Sequence, residues 1–231
     1  MTKYTEIMYP SGEKNIYPQK LCNYIYDRFF ETKDKSPRIL DIGCGKGTIL
    51  KAFARNGMEC YGIDLRDENN SEIIFKKCNI EQEQIPFGND FFDAIFTKSV
   101  IEHVYNTDNF LSEVRRVLRP SGSFICMTPD WKSQMYTFYN DYTHVKPFTR
   151  KGLQDALLIN GFEDVECEYF YQLPFVWKYP FLKFVPKIIA MLVPDFLKWK
   201  TRYERNTKDR KLIRFSKEIM LLACGRKKCQ S

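Results

Sequence analysis

Asp41, Gly43, Gly45 and Gly47 alternate in the run Asp41-Ile42-Gly43-Cys44-Gly45-Lys46-Gly47-Thr48. Glycine removes side-chain obstruction and tolerates positive φ, so a backbone built this way can approach a nucleotide-like ligand closely. The preceding run, Arg38-Ile39-Leu40-Asp41-Ile42, reads as an apolar strand, and Ile49 to Arg55 reads as a helix. The spacing is G-x-G-x-G, whereas the dinucleotide fingerprint G-x-G-x-x-G has its third glycine one place later. Asp41 closes the strand, where it would favour a cationic group. A second acid, Asp64, ends Tyr61-Gly62-Ile63-Asp64, seventeen residues after Gly47. A carboxylate in that position can accept both hydroxyls of a ribose.

The chain has only two histidines, His103 in Ile101-Glu102-His103-Val104 and His144 in Asp141-Tyr142-Thr143-His144-Val145. Both fall in loops expected at the carboxyl edge of a parallel sheet, where ligands bind. An imidazole titrates near neutrality and can take a proton from a hydroxyl. His144 is the first candidate base and His103 the second; Glu102 and Asp141 are weaker alternatives. The eight cysteines are scattered, with no Cys-x-x-Cys pair. Zinc-ligand spacing is absent, and no metal site is expected.

These residues need elements to hold them. Leu21, Tyr24, Ile25 and Phe29 recur at near-helical spacing over 17–31, a lead-in helix that packs on the sheet or covers the ligand. Strand patterns follow near 38–42, 59–63, 73–77, 92–97 and 123–128, with helices near 48–56, 108–118 and 149–160. Phe110, Leu111, Val114, Val117 and Leu118 form one apolar stripe, ended by Pro120 and Gly122. Thr149 is a good N-cap, and Gly161 a good stop. Such alternation implies a doubly wound α/β fold, a parallel sheet with helices on both faces.

The 231 residues suffice for one sizeable α/β domain with a small appendage. Net charge is +7, but residues 198–214 hold eight Lys or Arg against Glu204 and Asp209, leaving the rest close to neutral. A local basic patch fits better than whole-surface nucleic-acid binding, and no nucleic-acid partner is expected. Cysteines within apolar runs, such as Phe124-Ile125-Cys126-Met127, read as reduced core thiols of a cytoplasmic protein. No secretory signal is visible, and no apolar run reaches the length of about 20 residues that spans a bilayer.

Taken together, these segments resemble class I S-adenosylmethionine (SAM) dependent methyltransferases, in particular their small-molecule (type 11) branch. Asp41 to Gly47 is similar to the family's first motif and Tyr61 to Asp64 to its second. Cys78-Asn79-Ile80 with Ile85-Pro86-Phe87 is similar to the third. Phe92-Asp93-Ala94-Ile95-Phe96 leading to Glu102-His103-Val104 is similar to the fourth strand and its exit. Leu118-Arg119-Pro120-Ser121-Gly122-Ser123-Phe124 is similar to the way into the fifth. The resemblance covers roughly 36–172 and a last strand near 217–226. It implies a Rossmann-like sheet of seven strands, mostly parallel, with an antiparallel last strand. It also implies SAM as cofactor, held by Asp41, Gly43, Cys44, Gly45, Gly47, Asp64, Asn79, Ile80, Lys98 and Ser99. Asn79 falls where the family often has Asp; its carbonyl can still meet the adenine amino group. The run Asp141 to Thr149 resembles a D-x-T-H-x-x-x-[FY]-[ST] segment of methyltransferases with glycan and lipid acceptors. Thr97-Lys98-Ser99-Val100 lacks the Asn/Asp-Pro-Pro-Tyr signature of enzymes that methylate amino groups of DNA and glutamine.

The chain divides into a lead-in region (1–35), a SAM-binding core (36–172), an insertion (173–214), and the last strand and tail (215–231). The insertion lies between strands expected at 164–171 and 217–225 and departs most from a minimal methyltransferase. Residues 173–197 mix Phe, Trp, Tyr and Leu with Lys178, Lys183, Lys187 and four prolines. Aromatic and aliphatic groups beside lysines suit a bilayer's headgroup boundary, and a basic run adds attraction to anionic lipid. A lid or a homodimer contact is the plainer reading. The expected reaction is methyl transfer to a hydroxyl of a small molecule, such as a sugar, glycan precursor or lipid-linked substrate. Two other readings stand beside it, a nicotinamide-dependent oxidoreductase or epimerase and a non-catalytic SAM-fold partner subunit at a membrane. The glycine spacing counts against the oxidoreductase, and no Tyr-x-x-x-Lys pair is expected beside the cofactor.

Overall fold

The structure, a computed structural model, describes residues 16–30, 36–66, 73–194 and 208–229. The basic run is therefore described only from 208 onward; its residues 198–207, and Asp195 to Leu197 before them, lie outside.

Seven strands form one sheet: β1 (Arg38–Ile42), β2 (Glu59–Asp64), β3 (Ile74–Lys77), β4 (Phe92–Lys98), β5 (Leu118–Pro129), β6 (Phe162–Phe170) and β7 (Met220–Lys227). Their order is β3-β2-β1-β4-β5-β7-β6. The first five pair in parallel, and β7 runs antiparallel to both β5 and β6. The order reverses between β1 and β4, so a crevice opens beyond their carboxyl ends, the place where doubly wound sheets bind ligands.

Buried side chains form a cluster on each face. One packs α3 (Thr107–Val117) and α5 (Arg150–Ile159) against the sheet through Phe110, Leu111, Val114, Leu153 and Leu157. The other packs α1 (Tyr17–Phe29) and α2 (Thr48–Ala54) through Leu21, Cys22, Ile25, Leu50 and Phe53. Thr149 caps α5, its hydroxyl accepting from Gly152 N at 3.1 Å, and Gly161 follows the helix with φ +80°.

Several boundaries differ from the sequence pattern. β5 begins at Leu118, not 123, because the chain leaves α3 directly into the sheet and Leu118 aligns with Phe92. β6 begins at Phe162, earlier than expected, and carries an irregularity between Glu163 and Glu166 where Asp164 takes φ +50°. β7 begins at Met220 because a helix occupies the residues up to Lys217. All eight cysteines are free thiols.

The insertion folds as α6 (Pro174–Lys178), a short 3-10 turn (Pro180–Lys183), α7 (Phe184–Leu192) and α8 (Lys208–Lys217). Tyr171, Leu173 and Val176 make a small third core with Leu212, Phe215 and Ile219. Trp177 stacks on Phe170 at 5.0 Å and meets Tyr17 and Tyr24 edge-on or tilted, fixing α6 to the lead-in helix. Among the described residues no helix is long and apolar enough to cross a membrane.

Candidate functional site

The turn after β1 is built on three left-handed glycines, Gly43 at φ +75°, Gly45 at +50° and Gly47 at +69°. Other residues pay about 1–2 kcal/mol for that conformation. Gly43 N and Cys44 N both donate to Ile63 O, at 2.8 and 3.2 Å, and Gly47 N donates to Cys44 O at 3.0 Å. A Cβ on Gly43 would stand 2.4 Å from Val100 Cγ2, whereas one on Gly45 would meet nothing within 4 Å. Gly43 therefore serves close backbone packing, and Gly45 faces open space that a ligand can fill. The Cys44 side chain turns the other way, into the gap left by Gly62, where a Cβ would lie 2.7 Å from its sulfur. That side chain is core packing.

Asp64 reaches the same turn: its Oδ2 accepts from Gly45 N at 2.9 Å and its Oδ1 from Arg66 N at 3.3 Å. The carboxylate expected at a ribose is thereby tied to the glycine expected against the cofactor. Asp41 is buried, and burial pushes its carboxyl well above the ordinary range. Neighbouring Asp64 adds to the rise and Lys98 opposes it. Lys98 ends β4, and desolvation pulls its ammonium down. Ser99 takes φ +57° and donates its N–H to Met127 O at 2.8 Å, turning the chain so that Val100 meets Gly43. Backbone held in this sparsely populated region is typical of functional turns. Asn79 Oδ1 accepts from Glu81 N at 3.1 Å, so its carbonyl shapes its own turn, and Ile80 packs on the first core cluster.

The histidines come together on the β4 and β5 side of the crevice. Their rings are 4.7 Å apart, edge to face. His103 Nδ1 lies 3.1 Å from Thr143 O and 3.0 Å from Thr143 Oγ1, and His144 Nδ1 lies 2.7 Å from Phe138 O. A carbonyl only accepts, so each Nδ1 carries the proton and each Nε2 is the basic nitrogen. Phe138 also packs on the His144 ring at 4.4 Å. Asp141 organises the loop, its Oδ1 taking Thr143 N at 3.1 Å and Thr143 Oγ1 at 2.6 Å, while its Oδ2 stands 3.9 Å from His144 Nε2. Glu102 is completely buried; Thr128 Oγ1 donates to its Oε2 at 2.9 Å, and burial raises its carboxyl. Its backbone oxygen accepts from Val145 N and Lys146 N, joining the His144 loop to the turn after β4.

Tyr142 and Lys146 stand four residues apart in this loop, so the expectation that no Tyr-x-x-x-Lys pair lies nearby is corrected. The segment is turn and coil rather than helix, and Tyr142 is 85% exposed, so the two do not share a helical face. Two acids the sequence reading passed over also border the crevice. Asp130, directly after β5, caps the short α4 (Trp131–Gln134) through Ser133 N at 2.9 Å, and burial raises its carboxyl. Glu218 accepts from Arg214 Nε at 2.7 Å, and Arg214 is near enough to Lys98 to depress it further. Helix α8 of the insertion thus stands beside the carboxyl end of β5, where Ile219 O just after it accepts from Asp130 N and Gln134 Nε2.

The topology and the open glycine turn define an α/β domain that binds a nucleotide-type cofactor. The family model described as "Methyltransferase domain" matches residues 15–167, and the chain belongs to that family, as a class I SAM-dependent methyltransferase domain. The Gly45 opening, the three left-handed glycines and the Asp64 carboxylate fit SAM. The chain is 33% identical over 114 residues to the ubiquinone biosynthesis O-methyltransferase of Maricaulis maris, across 43% of each chain. It is 26% identical over 167 residues to the enzyme of that name from Roseobacter denitrificans, across 63% of this chain and 67% of that one. The first match thus spans less than half of the relative's length. A SAM dependent methyltransferase structure from Archaeoglobus fulgidus superposes with TM-score 0.64 at 19% identity, covering 98% of this chain and 99% of that one. At that identity the likeness is one of fold.

Proposed function

We propose that the chain moves the methyl group of SAM to a hydroxyl of an amphipathic small molecule, such as a lipid-linked or sugar-bearing acceptor. The observation that carries this reading is the pair of histidines at the carboxyl edge, each with Nδ1 tied to a carbonyl and Nε2 left basic. An alcohol must lose its proton as it is methylated, and an oriented imidazole is the usual group to accept it. When bound, SAM supplies a methyl group on sulfur that is already a good leaving group. The protein's share is binding, alignment and proton uptake. In this reading Asp64 takes the ribose, and Asp41 favours the cofactor's ammonium group. The backbone of 43–47 lies along its methionine part, with Asn79, Ile80, Lys98 and Ser99 around the adenine and the pocket wall. The names of the two bacterial relatives, both O-methyltransferases, favour oxygen as acceptor atom.

The insertion supports an amphipathic acceptor. Phe181, Phe184, Met191 and Leu192 are exposed beside Lys183 and Lys187, and α7 packs against α8, which stands beside the carboxyl end of β5. Such a surface suits contact with an anionic bilayer from the cytoplasmic side, with a lid or dimer contact as the alternative outcome. Replacing His144 by Ala should lower turnover about a hundredfold while leaving SAM affinity unchanged. Full turnover in that variant refutes the base. Salt-sensitive binding to anionic vesicles separates the bilayer reading from the lid, and absence of turnover with every hydroxyl acceptor would favour a non-catalytic partner subunit.

A further inference from the structure

We infer that Glu102, His103 and His144 form a binding site for a divalent first-row transition-metal ion, seated at the acceptor end of the crevice. The three side chains each offer one ligand atom, and these atoms all lie within 4.8 Å of one another. Glu102 comes from the turn after β4, His103 is its neighbour, and His144 arrives on the loop 40 residues on. The backbone bonds from Val145 and Lys146 to Glu102 O hold the two segments together.

The second observation is at Glu102. The side chain is completely buried, Oε2 is satisfied by Thr128, and Oε1 has no hydrogen-bond partner. A buried carboxylate oxygen left unpaired costs free energy, and a bound cation is one of the few things that relieves it. Both imidazoles are also dressed as ligands. Metal-bound histidines as a rule donate their other ring N–H to a carbonyl or carboxylate, which fixes tautomer and orientation. His103 does so to Thr143 O and His144 to Phe138 O. Thr143 is held in turn by Asp141. Ligands about 2.1 Å from a tetrahedral ion stand roughly 3.4 Å apart, so the trio must draw in by up to about 1.4 Å. Two nitrogens and one carboxylate oxygen suit Zn²⁺, Co²⁺ or Mn²⁺ better than Ca²⁺.

Three protein ligands leave a position open for the acceptor. The functional role rests on the hydroxyl reading above, whereas the binding itself does not. A cation there would make the acceptor hydroxyl acidic. The O–H bond breaks with its proton passing to solvent. The oxygen then bonds the methyl carbon as the sulfur–methyl bond breaks, and that electron pair returns to sulfur. With the ion bound, His103 and His144 would act as its ligands; the proton uptake given to them above belongs to the ion-free chain.

The test is titration of the full-length protein with Co²⁺, read by its visible d–d absorption and by calorimetry. One ion per chain is expected, with the bands lost in His144→Ala, in His103→Ala and in Glu102→Gln. Should Glu102→Gln fail to fold, the two histidine variants carry the test, each checked by circular dichroism and by SAM affinity. No stoichiometric binding, or equal binding by wild type and both histidine variants, would overturn the site. So would binding only through the exposed Cys229, recognised by a thiolate charge-transfer band and its loss in Cys229→Ser. If the ion binds and no hydroxyl is methylated, the proposed function fails and the site stands. If His144→Ala loses turnover and the wild type binds no ion, the base stands and the site fails.

Discussion

At the amino edge of the sheet, Glu113 gives both carboxylate oxygens to Arg116, at 2.7 and 2.8 Å, and also accepts from Ile85 N. At the carboxyl edge, Glu102 is more deeply buried and has one oxygen satisfied. The contrast runs through the neighbouring residues. Asp93 meets Arg38 N and Arg119, and Asp90 meets Lys227, all near the strand beginnings. Asp41, Glu102 and Asp130, near the strand ends, sit where burial raises their carboxyls. Hydrogen bonds lower Glu59 and Glu113, through Tyr61 and Arg116 respectively. One edge spends its carboxylates on holding the fold. The other keeps Asp41, Glu102 and Asp130 desolvated, with one oxygen each of Glu102 and Asp130 unpaired, as clefts that do chemistry commonly do, while Asp64 and Asp141 brace its turns.

The sharpest way to break this contrast is to fill the working edge. Gly45→Val puts a branched side chain into space that nothing in the protein occupies, with backbone strain from φ +50° as a second cost. SAM affinity should fall a hundredfold or more in calorimetry while the circular dichroism spectrum is kept. Wild-type affinity would mean that the ligand does not lie against this turn.

Asp64→Ala asks the same question of a single carboxylate. Losing a hydrogen bond to a charged group costs roughly 1.5–3 kcal/mol, about a tenfold to hundredfold weaker dissociation constant for SAM. Because Asp64 also braces Gly45 N, Asp64→Asn should recover part of the loss. An unchanged constant in Asp64→Ala would remove Asp64 from the site.

The cofactor half was legible in the sequence because its chemistry is local. Alternating glycines and an acid at each of two strand ends lie within 24 residues of one another, from Asp41 to Asp64. Periodicity likewise gave the helix stripes of α3 and the cap at Thr149. The acceptor half was legible as two histidines in loops at the carboxyl edge, His144 within the Asp141 to Thr149 segment, but not as a pair in contact. Their meeting depends on Glu102 O holding the backbone of Val145 and Lys146, and no spacing rule encodes a bond across some 40 positions. The same limit applies to Cys44, which sits inside the motif yet packs into the space left by Gly62. It applies to Asp130 and Glu218, which only their burial sets apart.

The smallest expected effect separates the two edges by the sign of their pH dependence. Glu113 has its carboxyl held low in the folded chain. Its contribution to stability is therefore present above the unfolded value of about 4.3 and is lost as pH falls through the folded value. Asp41 is raised in the folded chain, so it penalises folding increasingly as pH climbs from its unfolded value of about 3.9 towards the folded one. Glu113→Gln should thus destabilise at neutral pH by roughly 1.5–3 kcal/mol, the worth of hydrogen bonds to a charged group, with the deficit closing in acid. Asp41→Asn should stabilise at neutral pH, with the gain closing in acid, while SAM binds more weakly. Urea denaturation of the two variants from about pH 2.5 to 8 reads both slopes. Parallel losses in the two variants at every pH would show that Asp41 is a structural group like Glu113. Opposite slopes, with weaker SAM binding in Asp41→Asn alone, would show that the protein tolerates a less stable carboxyl edge in exchange for its ligand.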